Sequence, residues 1–281
     1  MNAIEIRNAS KSYPGFQLGP VTMDLPSGAI LGLVGENGAG KTTLIKMLLG
    51  IKKQDSGTLR VLGSLNLRDT PKRKEDIGVV LDEVCLPDFM KTPEIGKMLG
   101  KIYWNWDQDV FDGFVEKMHI PTDKKFKNFS KGNKMKLGIA CAMSHHPKLL
   151  ILDEATSGLD PVVRDDLLDL LMDFTREEDH AILMSSHIVS DLEKACDYIA
   201  FLHEGKLLLK EEKDVLLEEY GKLSCSLDEF AAIDPSSVVG KRQTPYGVEA
   251  IVRRDEVPGS LHFQPIRLEE LFVMMVKGDK G

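Results

Sequence analysis

Nine consecutive residues carry the most specific chemistry in this sequence: Gly35, Glu36, Asn37, Gly38, Ala39, Gly40, Lys41, Thr42 and Thr43. They fit the spacing G-x-x-x-x-G-K-[ST]. In that spacing glycines let main-chain N–H groups close around a triphosphate, the ammonium reaches the β- and γ-phosphates, and the hydroxyl after it is offered to Mg²⁺. Lys41 is the expected charge stabiliser and Thr42 an expected metal ligand. Asp153 and Glu154 end an aliphatic run, Leu149–Leu152. One carboxylate suits the Mg²⁺ shell, and the next can orient and polarise a water for in-line attack. His187 stands directly behind another apolar run, where it can hydrogen-bond a γ-phosphate; read alone, a single histidine is usually structural. Ser130, Gly132 and Asn133 open a segment made basic by Lys131, Lys134 and Lys136, a capped helix start that suits an anion but that, read alone, is better taken as a plain capped helix. Tyr13, just before Pro14-Gly15, can stack on a purine or simply pack its turn. Asp82, with Glu83, ends a short apolar run at a place where ligands of α/β proteins commonly sit; ordinary strand-end solvation is the alternative.

The elements around these residues are of the kind that could position them. Ile30–Val34 reads as a buried strand, and Thr43–Gly50 as a helix closed by glycine, so the loop lies between strand and helix as its chemistry requires. Ile4–Ala9 and Phe16–Leu25 read as strands, Asp55–Gly63 as a turn and strand, and residues 66–76 as a charged loop. Ile77–Leu81, Leu149–Asp153 and Ala181–Ser186 read as further strands. Residues 84–128 change character: they are helix-like, with no strand pattern, and hold both tryptophans, Trp104 and Trp106, expected to pack the core of a helical insertion. Ser130 caps a helix to about His145. Asp160-Pro161 starts another, whose face of Val162, Val163, Leu167, Leu168, Leu170, Leu171 and Phe174 is expected to pack on the sheet. Tyr198–Leu202 and Lys206–Lys210 form a hairpin around Glu204-Gly205. The expectation is a nucleotide-binding domain over residues 1–216, with the helical part at about 84–147. A small accessory module over 217–281 comes after it, with loosely alternating stretches at Leu223–Glu229, Val238–Gly240, Val248–Arg253 and His262-Phe263, turns at Pro235, Tyr246-Gly247 and Pro258-Gly259, and a helix at Leu268–Val276.

Bulk properties narrow the class. The 281 residues suffice for one large domain and an appendage. A net charge of −8 argues against nonspecific nucleic-acid binding, which needs a basic surface. Cys85, Cys141, Cys196 and Cys225 are far apart and form no C-x-x-C pair, which suggests neither a zinc site nor a disulfide framework and fits a reducing compartment. Met1–Arg7 shows no signal-peptide pattern, and no run of about eighteen apolar residues occurs. In a transport process the membrane part is expected on another chain.

Together these motifs, in this order over residues 1 to about 215, resemble the ATP-binding subunit of an ABC transporter. Gly35–Thr42 resembles the Walker A loop, Leu149–Glu154 Walker B, Ser157–Asp160 the D-loop, His187 the switch histidine and Tyr13 the adenine-stacking aromatic. Phe129-Ser-Lys-Gly-Asn-Lys134 is similar to the signature motif, normally L-S-G-G-Q. Two departures stand out: Lys131 and Asn133 replace the Gly and Gln of the signature, and Asp82 stands where the family has the Q-loop glutamine. The helical insertion, the F-S-K-G signature and the L-E-E-L-F tail look most like bacterial exporters of peptide antibiotics, such as bacitracin and lantibiotic systems.

The resemblance implies an α/β P-loop core with a mixed sheet, a helical subdomain and a small C-terminal α+β appendage. It implies an ATPase that binds ATP and Mg²⁺, with Thr42, Asp153 and Asp82 as metal ligands, Glu154 as base or water orienter, and Ser130, Gly132 and Asn133 meeting a γ-phosphate. Its partners would be a membrane permease on another chain and a second ATP-binding subunit, identical or different, in a head-to-tail dimer, with no nucleic acid. Its place would be the cytoplasm, at the inner face of the membrane through the permease. Rival readings are a soluble ABC-type ATPase acting on nucleic acid or ribosomes, and an ATPase switch regulated through the tail.

Overall fold

The computed structural model describes residues 1–65, 67, 70–245, 247–257 and 261–278. The chain divides into two compact units, Met1–Lys210 and Glu211–Gly281. The division falls a few residues before the break at 216 that the change in sequence pattern suggests.

The first unit opens with strands β1 (Asn2–Tyr13), β2 (Phe16–Pro26) and β3 (Ile30–Val34), helix α1 (Lys41–Leu48), and β4 (Ser56–Val61). A 3₁₀ turn, Pro71–Asp76, leads into β5 (Ile77–Val80). The helical insertion then supplies α2 (Thr92–Leu99), α3 (Gln108–Lys117) and α4 (Lys131–Met143). The chain returns to the sheet with β6 (Leu149–Asp153), α5 (Pro161–Phe174), β7 (Ala181–Ser186), α6 (Val189–Ala195), β8 (Tyr198–His203) and β9 (Lys206–Glu212).

These strands form two sheets. One is antiparallel, in the order β2-β1-β4; the other has six strands, in the order β5-β6-β7-β3-β8-β9. In the second sheet, β5, β6, β7, β3 and β8 pair in parallel. All residues of β3, β6 and β7 are buried, which is why they read as unbroken apolar runs without alternation. Burying each of their aliphatic side chains contributes about 1.5–3 kcal/mol. The register places Val34 opposite Ser186 and Asp153 opposite Ser185. The three C-terminal strand ends therefore finish side by side, and the loops leaving them are gathered at one edge of the sheet.

The helical insertion has its own core, built from Ile95, Leu99, Phe111, Phe126, Phe129 and Leu137. Trp106 joins it, its ring 5.2 Å from Phe111. Trp104 does not: it is 94% exposed, contrary to expectation. It lies in the turn between α2 and α3, with Tyr103 and Trp106 on either side already packed inward. On α5 the buried residues are Leu167, Leu168 and Leu171, while Val162 in the first turn is exposed, so the apolar stripe is narrower than the sequence suggests.

The second unit holds α7 (Lys213–Glu219), β10 (Tyr220–Cys225), α8 (Leu227–Ala231), β11 (Val238–Thr244), β12 (Gly247–Arg253) and α9 (Leu268–Lys277). Its antiparallel sheet runs β10-β12-β11 over a core of Leu223, Val238, Ala250 and Val252. The stretch expected to alternate from Leu223 to Glu229 is strand only as far as Cys225. Ser226 then accepts a bond from the Glu229 N–H while Glu229 reaches back to the Ser226 N–H, a reciprocal cap that starts α8. The turn expected at Pro258-Gly259, and Tyr246 of the other turn, lie outside the described residues.

Candidate functional site

The edge where β3, β6 and β7 end carries a connected set of polar groups. Lys41, the first residue of α1, is only 6% exposed. Its Nζ donates to the Gly35 carbonyl at 2.6 Å and the Glu36 carbonyl at 3.4 Å, and lies 3.4 Å from Glu154 Oε1. The ammonium is thus folded back into its own loop. Thr42 Oγ1 donates to Asp153 Oδ2 at 2.7 Å, and Ser185 Oγ donates to Asp153 Oδ1 at 2.5 Å. One carboxylate, itself buried, is held from α1 on one side and β7 on the other.

Glu154 leaves the strand with φ 57°, in the left-handed region. For a residue with a Cβ this costs about 1–2 kcal/mol. The turn is held by the Glu154 N–H donating to the Ser185 carbonyl at 3.0 Å. It sends the side chain toward His187, whose Nδ1 lies 2.5 Å from Glu154 Oε2 and whose backbone N–H donates to the same oxygen at 3.3 Å. With Nδ1 engaged on the carboxylate, any further contact by this ring falls to Nε2.

The loop is braced from behind. A Cβ on Gly35 would come within 2.5 Å of the Leu202 carbonyl oxygen, so the backbone there approaches closer than any other residue allows. Gly205, in the turn between β8 and β9, donates its N–H to the Ala39 carbonyl at 3.0 Å. Gly38 and Gly40 both have positive φ, 84° and 108°, and Gly40 abuts Phe16 and Leu18. Phe16 pairs across β1–β2 with Tyr13. Tyr13 is partly exposed, with the Lys11 ammonium 5.9 Å from its ring centre. Glu36 faces His203 at 3.6 Å.

The structure thus brings Gly35–Thr43, Asp153, Glu154 and His187 together. A second cluster holds Ser130, Gly132 and Asn133. Ser130 caps the 13-residue α4, its Oγ accepting from the Asn133 N–H at 3.2 Å. Gly132 packs on the turn before α5, where a Cβ would meet the Gly158 carbonyl oxygen at 3.3 Å. Asp82 reaches this cluster: its Oδ1 lies 2.9 Å from Lys131 Nζ. A cleft of about 830 Å³ runs alongside, lined by Asp82, Glu83, Leu86, Phe129 and Lys131 among others. Sequence reasoning missed Ser185. Its signal was present, because two serines ending an otherwise apolar buried strand need partners.

The donor set suits a hard cation. A hydroxyl and a carboxylate 2.7 Å apart are oxygen ligands of the kind Mg²⁺ takes when phosphate oxygens and waters fill the remaining positions.

Comparison with known proteins agrees with this geometry. Residues 18–157 match the family described as ABC transporter. The ABC transporter ATP-binding protein YtrB of Bacillus subtilis (strain 168) is 30% identical over 294 residues, covering 99% of this chain and 99% of its own. The lantibiotic transport ATP-binding protein SrtF of Streptococcus pyogenes is 35% identical over 215 residues, covering 75% of this chain and 91% of its own. A solved ATP-binding subunit of an ABC transporter superposes with a TM-score of 0.70 at 27% identity, covering 75% of this chain and 90% of that one.

Proposed function

Because the chain belongs to the family of ABC transporter ATP-binding proteins, we propose that it binds Mg·ATP on the Gly35–Thr43 loop and hydrolyses it in a site completed by a second ATP-binding subunit. It is an ATPase subunit coupled to transport. No helix among the described residues is long and apolar enough to cross a membrane. The permease in this reading is a separate chain, and the ATPase sits at its cytoplasmic face.

One observation carries the reading. Ammonium, hydroxyl and two carboxylates converge where three buried parallel strands end, bridged by contacts of 2.5–3.4 Å. Lys41 neutralises phosphate charge from a buried position, where a cation acts more strongly than in water. Thr42 and Asp153 are the Mg²⁺ ligands; when bound, the ion supplies Lewis-acid polarisation of phosphoryl oxygens. Glu154, clamped by His187, orients and deprotonates the attacking water. The ring of His187 is left to reach a phosphate through Nε2. Tyr13 stacks on the base. The helix start at Ser130, Gly132 and Asn133 offers its N–H groups to the γ-phosphate on the other subunit, excluding water from the leaving group.

The exported cargo is a peptide antibiotic or related drug, a reading supported by the lantibiotic transport relative. A nucleic-acid or ribosome role is not favoured: two relatives that span most of this chain, YtrB and SrtF, are an ABC transporter ATP-binding protein and a lantibiotic transport ATP-binding protein, and the net charge is −8. The test is Glu154→Gln. It is expected to keep ATP affinity, lose turnover by at least about a hundredfold, and accumulate as an ATP-bound dimer. Near-normal phosphate release would remove Glu154 from its role, and nucleic acid in place of a membrane protein in a pull-down would overturn the transport assignment.

A further inference from the structure

Two of the residues that depart from the family's motifs, Asp82 at the Q-loop position and Lys131 in the signature, meet each other. Lys131 Nζ lies 2.9 Å from Asp82 Oδ1, with both side chains 54% exposed. Asp82 lies just past β5, the edge strand of the six-stranded sheet, and Lys131 is the first residue of α4. Its stem lies along the Gly158 turn, 3.4 Å from where a Cβ would stand. The other two lysines of this helix start are engaged within the helical layer. Lys134 Nζ sits 4.9 Å over the Phe126 ring, and Lys136 Nζ donates to the Met118 carbonyl at 3.1 Å. Lys131 alone of the three is paired with a half-exposed carboxylate.

We propose that Lys131 is a nucleotide-contacting residue held in reserve by Asp82: in the single subunit the carboxylate neutralises its ammonium, and on closure of two subunits Lys131 exchanges Asp82 for the γ-phosphate bound on the other copy's Gly35–Thr42 loop. This rests on the shared-site reading above. An exposed carboxylate–ammonium pair is weak, so releasing it opposes closure only slightly. The phosphate that replaces it carries more charge and lies in a site from which water is being excluded, where attraction is stronger. An ammonium one residue past the Ser130 cap adds to the helix N–H groups a full charge that a glycine at this position cannot supply. Asp82 is thereby a competitor for Lys131 and not a metal ligand, and it raises the ATP level needed for closure.

The test uses the full chain in the Glu154→Gln background, measuring by sedimentation the Mg·ATP concentration that half-saturates pairing. Lys131→Gly is expected to raise it about tenfold, as for loss of one charged hydrogen bond. Lys131→Arg stays near the parent, because the cation is kept. Asp82→Asn is expected to lower it about two- to fivefold, the range for releasing an exposed ion pair. The opposite signs decide the matter: if the pair only pinned the helical layer to the sheet, Lys131→Gly and Asp82→Asn would break the same pin and shift pairing the same way. Shifts of the same sign, or none, with the parent still pairing, overturn this inference alone. A parent that never pairs at any ATP concentration overturns the shared site, and this inference with it.

Discussion

Replacing Lys41 with methionine keeps the stem and removes the charge. In the structure that charge is 6% exposed and held by the Gly35 carbonyl at 2.6 Å, so it sits inside the loop and not in solvent. A nucleotide loses a cation that would meet two phosphates. With charged hydrogen bonds contributing about 1.5–3 kcal/mol each and the displaced Gly35 contact offsetting part of this, the net loss is about 2–4 kcal/mol. The dissociation constant for ATP then rises roughly 30- to 1000-fold. The substitution also leaves the Gly35 carbonyl without its donor and Glu154 without the ammonium 3.4 Å away. An unsatisfied buried acceptor costs about 1–3 kcal/mol, and each kcal/mol lowers the melting point of a unit this size by about 2–4 °C. Affinity is therefore measured by titrating a fluorescent ATP analogue well below the transition, with circular dichroism to establish that the variant is folded. A dissociation constant within about threefold of the parent on a folded chain would be far below the charged-contact range and would place the triphosphate elsewhere.

The same contacts set other expectations. Gly35→Ala drives a Cβ to 2.5 Å from the Leu202 carbonyl oxygen, a backbone atom that cannot swing away; it should destabilise the chain by about 1–3 kcal/mol, and an unchanged melting curve would mean that the brace behind the loop is absent. Asp153→Asn preserves the shape that Thr42 and Ser185 grip but removes the charge. The Mg²⁺ concentration for half-maximal ATPase should rise about tenfold or more, since changing even a group that only orients a metal ligand costs about that much, and an unchanged Mg²⁺ requirement would dismiss Asp153 as a ligand. Burial pushes the Cys141 thiol up to about 12, so at pH 8 it is almost wholly protonated and should resist iodoacetamide, whereas exposed Cys85 should be alkylated. Labelling of the native chain and then peptide mass mapping checks this; equal labelling of both thiols contradicts the burial.

Where chemistry and periodicity coincide, the sequence is nearly transparent. Ile30–Val34 and Ala181–Ser186 are strands at their expected bounds because parallel strands buried on both faces read as near-continuous apolar runs, broken in the second only by Ser185 and Ser186 at its end. Ser130 and Asp160 cap their helices through bonds that a three-residue spacing already announces. What escaped is non-local. Nothing in the order of residues indicates that Asp82 pairs with Lys131, 49 positions away. The left-handed turn at Glu154 is set by β6 and β7 lying side by side, not by local propensity. In the second unit, short helices such as α7 and α8 interrupt the alternation, and a seven- or five-residue helix is too short for its period to show.

The central claim is that a triphosphate is gripped by main-chain amides and Lys41 of one subunit and closed over by the Ser130 end of α4 from another. A structure of the Glu154→Gln chain with Mg·ATP tests it most directly. The account predicts two nucleotides per pair of subunits, each with its γ-phosphate between Lys41 of one copy and the Ser130–Asn133 turn of its partner. Nucleotide seated away from Gly35–Thr42, or fully enclosed within a lone subunit, would contradict it.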